Sequence, residues 1–127
     1  MKIITLTVGS FHTNCYLVID EAENKAAVID PGGSADLIIS AIKESGAYVT
    51  AIILTHGHFD HVVAINEVRR FTGAEVYIHA LDAVMLKDRH LSFLPKSFET
   101  DEPEHLLSDH LYRYAHNPTN PFLFYFP

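Results

Sequence analysis

Three histidines and a carboxylate lie within six residues in the stretch Thr55-His56-Gly57-His58-Phe59-Asp60-His61. Imidazole nitrogen and carboxylate oxygen are donors that suit zinc, manganese or iron. His56 and His58 sit two apart in a loop and can point at one ion. Asp60 and His61 can serve a neighbouring ion. A metal with open positions brings the pKa of bound water towards neutrality, so that hydroxide attacks an ester-like carbonyl; two metals clamp both the attacking and the departing oxygen. The plainer reading makes Asp60 a helix N-cap and the histidines a solvated loop. Histidine is common here, 9 in 127 residues, yet this spacing with the Asp would still arise by chance only about 0.003 times per chain. The expected metal ligands are therefore His56, His58, Asp60 and His61, with Asp60 also the candidate catalytic carboxylate. Zinc is the first expectation, one ion or two, with iron or manganese as alternatives.

The flanking segments read as the elements that position this loop. Val49 to Leu54 is apolar and rich in β-branched residues, as in a buried strand that stops at the motif. Ligands bind outside the carboxyl ends of strands in open α/β sheets. Upstream, Lys2 to Val8 alternates as a half-buried strand, and Asn14–Asp20 and Lys25–Asp30 form a hairpin across Glu21-Ala22-Glu23-Asn24. Asp30-Pro31-Gly32-Gly33 ends that strand. Ser34 is placed to cap a helix to Ser45, with Leu37, Ile38, Ala41 and Ile42 as its apolar stripe and Gly46 as its stop. Asp60 to Phe71 reads as the next helix, Ala74 to His79 as a strand, and Leu81 to about Arg89 as a short helix. Leu91 to Pro103 is loop-like. Glu104 to Tyr114 reads equally as a helix or a strand pair. Strands alternating with helices after an opening hairpin imply parallel crossovers.

The motif His56-Gly-His58-Phe-Asp60-His61 resembles the HxHxDH signature of the metallo-β-lactamase-fold hydrolases, and of their glyoxalase II-like branch in particular. Thr13-Asn14-Cys15-Tyr16-Leu17-Val18 is similar to that branch's first hairpin, and Val28-Ile29-Asp30-Pro31-Gly32-Gly33 to its Asp-Pro-Gly turn. Val76-Tyr77-Ile78-His79-Ala80 with Asp82 resembles the strand and helix start that follow the motif. The likeness covers about Lys2 to Arg89. It implies an α/β chain of the αββα fold, present as its first αβ half: one mixed sheet with helices Ser34–Ser45 and Asp60–Phe71 on a single face. It assigns His56 and His58 to a first metal, Asp60 and His61 to a second, and Asp30 to a place beside the site. Read by itself, Asp30 is equally a turn residue before Pro31. The family's third first-metal histidine comes from a later Gly-His turn, and no glycine follows Gly73. His110 and His116 are the only downstream histidines in range, in surroundings unlike the family's. The chain therefore reads as a single domain, 1–127, incomplete at its C-terminus, with a divergent tail over 90–127.

Composition sets the remaining bounds. A chain of 127 residues can bury a core alone. A net charge of −7 makes nucleic acid a poor electrostatic partner and disfavours a nuclease of the same superfamily. The single cysteine, Cys15, sits in an apolar strand pattern as a core residue, and a reducing compartment fits. No signal-peptide pattern opens the chain and no run is long enough to span a membrane, so a cytoplasmic protein is expected. His12, His79, His90 and His105 are read as packed or surface residues. Two function classes follow. One is a metal-dependent hydrolase of a thioester, ester or lactam-like small molecule. The other is a truncated, non-catalytic half-domain that binds metal weakly. A bare sheet face presenting Ile4, Leu6, Val8, Leu17 and Ile19 is expected to drive homodimerisation, in preference to cover by the apolar segment Phe122–Phe126.

Overall fold

In the computed structural model, which describes residues 1–108, six strands form one sheet in the order of the sequence. Strand β1 (Lys2–Val8) pairs antiparallel with β2 (Thr13–Asp20), and β2 with β3 (Lys25–Ile29). β4 (Tyr48–Leu54), β5 (Glu75–His79) and β6 (His105–Leu107) then add in parallel. Helix α1 (Ala35–Ser45) links β3 to β4; α2 (Phe59–Val62) and α3 (Ile65–Thr72) link β4 to β5. After β5 come α4 (Ala80–Ala83), a 3₁₀ turn (Val84–Leu86) and α5 (Arg89–Ser92). The expected mixed sheet with its helices on one face is what the chain forms. No helix among the described residues is long and apolar enough to cross a membrane.

The main core lies between the sheet and the helices. Val8, Leu17, Val28, Ile52, Val76 and Ile78 from the strands meet Ile38 and Ile42 of α1 and Ile65 and Val68 of α3, all buried. Each such side chain contributes about 1.5–3 kcal/mol by leaving water. Leu37, expected in the stripe of α1, stays exposed. The parallel register slips at Thr50, the extra residue between Val49 opposite Ala26 and Ala51 opposite Ala27. The bulge keeps Val49 and Ile52 in the main core while Ala51 faces the other side.

Three expectations are corrected. The row Ile4, Leu6, Val8, Leu17 and Ile19 is not on the face away from the helices. Register puts Ile4 opposite Leu17 and Leu6 opposite Cys15, and the whole row packs into the main core. The large β-branched and leucine side chains go where helices cover them. The second face carries the other alternating row, with Ala27, Ala51 and Tyr77 buried and Ile53 and Leu107 partly so. The helix expected over Asp60–Phe71 is two pieces, because the Ala64 N–H donates to the Pro31 carbonyl at 2.9 Å and so leaves the helical ladder. The helix expected over Leu81–Arg89 is likewise broken, and Asp88 opens α5 instead by accepting from the N–H groups of His90 and Leu91. Of the segment Glu104–Tyr114, His105–Leu107 is a strand; the rest, His110, His116 and Phe122–Phe126 lie outside the described residues.

Candidate metal centre

The parallel strands β3, β4 and β5 end at one edge of the sheet, where the antiparallel β2 begins. Three segments therefore deliver side chains to one place: Asp30 after β3, the histidine loop after β4, and Thr13 at the start of β2; the turn Pro31-Gly32-Gly33 packs its backbone against the loop. The chain folds this way locally for a steric reason. Gly32 lies so close to the loop that a Cβ there would sit 1.7 Å from the carbonyl oxygen of Asp60 and 3.1 Å from the Cα of His61. Gly57 is similarly pressed on Met85, whose Cβ a side chain would approach to 2.4 Å. Only glycine allows these contacts.

Asp30 is 4% exposed and adopts a left-handed backbone, φ 53°, which Asp tolerates better than most residues. Its Oδ1 accepts from the Thr55 N–H at 2.8 Å, and its Oδ2 accepts from the Thr55 hydroxyl at 2.6 Å and faces His61 Nδ1 at 3.0 Å. Of the two readings left open by the sequence, the structure realises the one in which Asp30 stands beside the site. Asp60 is not the helix cap; His58 holds that position in α2 without a side-chain bond. Asp60 Oδ2 instead accepts from the Thr13 hydroxyl at 2.7 Å and lies 3.4 Å from His61 Nε2. Burial raises the Asp60 pKa, but the Thr13 hydroxyl and the neighbouring His61 outweigh it and hold the carboxyl below its ordinary value. The His56 ring centroid is 4.7 Å from that of His58 and 4.2 Å from that of His61. Burial, then the nearby His61 and His58, lower the His56 pKa. A neutral imidazole offers a lone pair, which is what a metal ligand requires.

All four sequence-predicted residues thus lie at this edge, with the His56 imidazole next to those of both His58 and His61. Among the described residues, however, no group of three or more His, Cys, Asp and Glu side chains stands in a finished ion-holding arrangement. The rings of His56 and His58 meet edge to face, and His61 is spanned by two carboxylates. The donor set nevertheless suits a cation. With Nδ1 of a neutral His61 donating to Asp30, Nε2 presents a lone pair to the Asp60 carboxylate, an acceptor against an acceptor. A proton or a metal ion between them makes that contact favourable. Thr13 and Thr55 were not singled out from sequence, although Thr55 directly precedes the motif and Thr13 opens β2. His79 is a structural cap, accepting from the Leu81 N–H at 3.1 Å. His105 stacks on Tyr77 at 4.1 Å and pairs with Glu75. Cys15 is fully buried and its thiol is pushed up to about 12 by burial and then by Asp30.

Comparison with known proteins gives the same picture. Residues 8–122 match the metallo-beta-lactamase superfamily. The chain is 40% identical over 77 residues to hydroxyacylglutathione hydrolase GloC of Haemophilus influenzae, covering 61% of this chain and 36% of that protein. It is 38% identical over 92 residues to the probable metallo-hydrolase YqgX of Bacillus subtilis, covering 72% of this chain and 43% of that one. Among solved structures, the B3 metallo-beta-lactamase BLEG-1 matches with a TM-score of 0.77 at 29% identity, over 85% of this chain and 54% of that chain. TTHA1623 in a di-iron-bound form matches with a TM-score of 0.59 at 29% identity, over 79% and 52%. The chain thus spans less than half the length of these curated relatives. The matched span begins at Val8, at the end of β1, and takes in the Asp30 turn and the whole histidine loop. By sequence match, by fold and by the residues at this sheet edge, the chain belongs to the metallo-β-lactamase superfamily.

Proposed function

We propose that this chain provides the metal-binding part of a metal-dependent hydrolase acting on a small thioester, ester or related carbonyl compound. The observation that carries the reading is the adjacency of His56, His58 and His61 at the strand ends, with His61 set between Asp30 and Asp60. His56, His58, Asp60 and His61 would hold the metal, zinc in the first instance, with iron or manganese as alternatives. The di-iron form of TTHA1623 supports a transition metal in such a fold. A divalent ion bound there supplies Lewis acidity towards a carbonyl oxygen. The chain's own residues do the rest. Asp30 orients His61, Thr13 holds Oδ2 of Asp60, the oxygen that faces His61, and Thr55 anchors Asp30. Asp60 is the carboxylate placed to take up a proton or meet a cation at the reacting edge.

The hydrolase reading is supported by the likeness to hydroxyacylglutathione hydrolase GloC. The substrate is a small molecule, with nucleic acid disfavoured by the net charge of −7. The protein is expected in the cytoplasm. The test is hydrolysis of a hydroxyacyl thioester by the zinc-loaded chain. Turnover below the ordinary enzyme value of about 10 per second, abolished by chelation and by Asp60→Asn, supports the reading. Turnover that survives chelation contradicts it. A second reading is a non-catalytic half-domain that binds metal weakly and self-associates; among the described residues His56, His58, Asp60 and His61 do not stand as a finished ion-holding group. Metal binding without turnover, together with dimers in sedimentation, would select it.

A further inference from the structure

Proton counting fixes the direction of every hydrogen bond around Thr55. The hydroxyl has one proton, and Asp30 as a carboxylate only accepts. At 2.6 Å from Asp30 Oδ2, the Thr55 hydroxyl must donate to it. What the same oxygen turns to His56 Nδ1, 2.9 Å away, is therefore a lone pair. His56 Nδ1 must carry a proton. His61 Nδ1, 3.0 Å from the same Asp30 oxygen, must carry one too. Each imidazole is left with a bare Nε2 when neutral. A histidine that donates through one ring nitrogen is fixed in tautomer and orientation for ligation through the other.

We infer that Thr55 is a positioning residue that extends the control of Asp30 from His61 to His56, so that one carboxylate sets the donor nitrogen of two ligands. Its importance for metal affinity rests on the proposed metal site; the hydrogen-bond chain does not. Without the hydroxyl, Asp30 still accepts from His61, but no other hydrogen bond among the described residues of the loop selects the Nδ1–H form of His56. The two histidines then part company, which a merely structural role for Thr55 would not produce. The backbone offers a clean separation, because the Thr55 N–H bond to Asp30 Oδ1 at 2.8 Å does not use the side chain and remains available in Thr55→Val and Thr55→Ser.

The experiment compares the parent chain with Thr55→Val and Thr55→Ser by imidazole nitrogen NMR of the metal-free protein, and then by zinc titration. In the parent and in Thr55→Ser, neutral His56 and His61 should both be Nδ1–H. In Thr55→Val, His61 should keep that form and His56 should become a tautomer mixture. Zinc affinity should fall about 10- to 100-fold in Thr55→Val and recover in Thr55→Ser to within about threefold of the parent. An unchanged His56 in Thr55→Val, or an Nε2–H His56 in the parent, overturns the inference. If the tautomers behave as stated but the parent binds no zinc, the metal-site reading fails and the positioning role of Thr55 stands. If zinc binds the parent and Thr55→Val equally well, with the same tautomers, the metal reading stands and the inference fails. Should Thr55→Val lose dispersed amide signals, Thr55→Ser and the parent His56 tautomer still decide the matter.

Discussion

Replacing Gly32 by Ala should both destabilise the fold and disable the histidine loop. The added methyl would begin 1.7 Å from the Asp60 carbonyl oxygen, with the carbonyl carbon at 2.7 Å. Carbon and oxygen at rest need about 3.2–3.5 Å, so the turn or the loop must retreat by roughly 1.5 Å. The obstacle is backbone, which cannot swing aside as a side chain does. Asp30 is two residues away, and its bonds to Thr55 and His61 span 2.6 to 3.0 Å. A retreat of that size stretches them past hydrogen-bond range. Overpacking costs about 1–3 kcal/mol, and leaving a buried carboxylate under-partnered costs about 1–3 kcal/mol more. The expected loss is about 2–6 kcal/mol, a melting temperature lower by about 5–25 °C. Gly46→Ala and Gly73→Ala are the controls. Both glycines have positive φ, 67° and 69°, but nothing lies within 4 Å of an added Cβ. Their cost is the left-handed backbone alone, about 1–2 kcal/mol. Urea denaturation of the three variants measures the difference. Gly32→Ala as stable as Gly46→Ala would refute the argument that the turn is pressed against the loop.

Other outcomes follow from single contacts. Cys15, fully buried with its thiol raised to about 12, should resist thiol reagents in the folded protein and react at the unfolded rate in denaturant; rapid native labelling would contradict its place in the core. Glu104 lends stability at neutral pH. Burial raises its pKa, but the Val76 N–H at 2.6 Å and its own backbone N–H, with the Arg69 guanidinium, outweigh burial and set the carboxyl below its ordinary value. A depressed folded value means a contribution present above the unfolded pKa and lost as the pH falls through the folded one. Because the side chain is 37% exposed, the pair is worth about 1 kcal/mol or less. Its removal in Glu104→Gln should matter at about pH 6 and vanish near about pH 3. Ile52→Ala, at a fully buried site of the main core, should cost about 2–5 kcal/mol, read from the urea midpoint.

Much of this architecture is legible in the sequence because its signals are local. Alternation marks β1, the glycine after Ser45 stops α1 in a left-handed cap, and the histidine spacing marks the loop. What eludes a sequence reading is set between segments. The break at Ala64 depends on the carbonyl of Pro31, from a turn over thirty residues earlier. Ser34 holds the N-cap position of α1 as expected, but its hydroxyl makes no cap bond and instead accepts from the Gly9 N–H at 3.0 Å. Which alternating row faces the helices is a matter of register. The pattern shows that Leu17 and Ile19 share a face with Ile4 and Leu6, not that this is the covered one. Thr13 and Thr55 carry no motif of their own, and their roles appear only once Asp60 and Asp30 are folded against them.

The central claim is that the loop after β4 holds a metal. Metal analysis of the purified chain beside a His56→Ala/His58→Ala double variant tests it directly, with folding of both checked by circular dichroism. The chain should retain zinc, iron or manganese at sub-stoichiometric occupancy, and the folded double variant should retain none. Equal metal content in the two proteins would contradict the assignment.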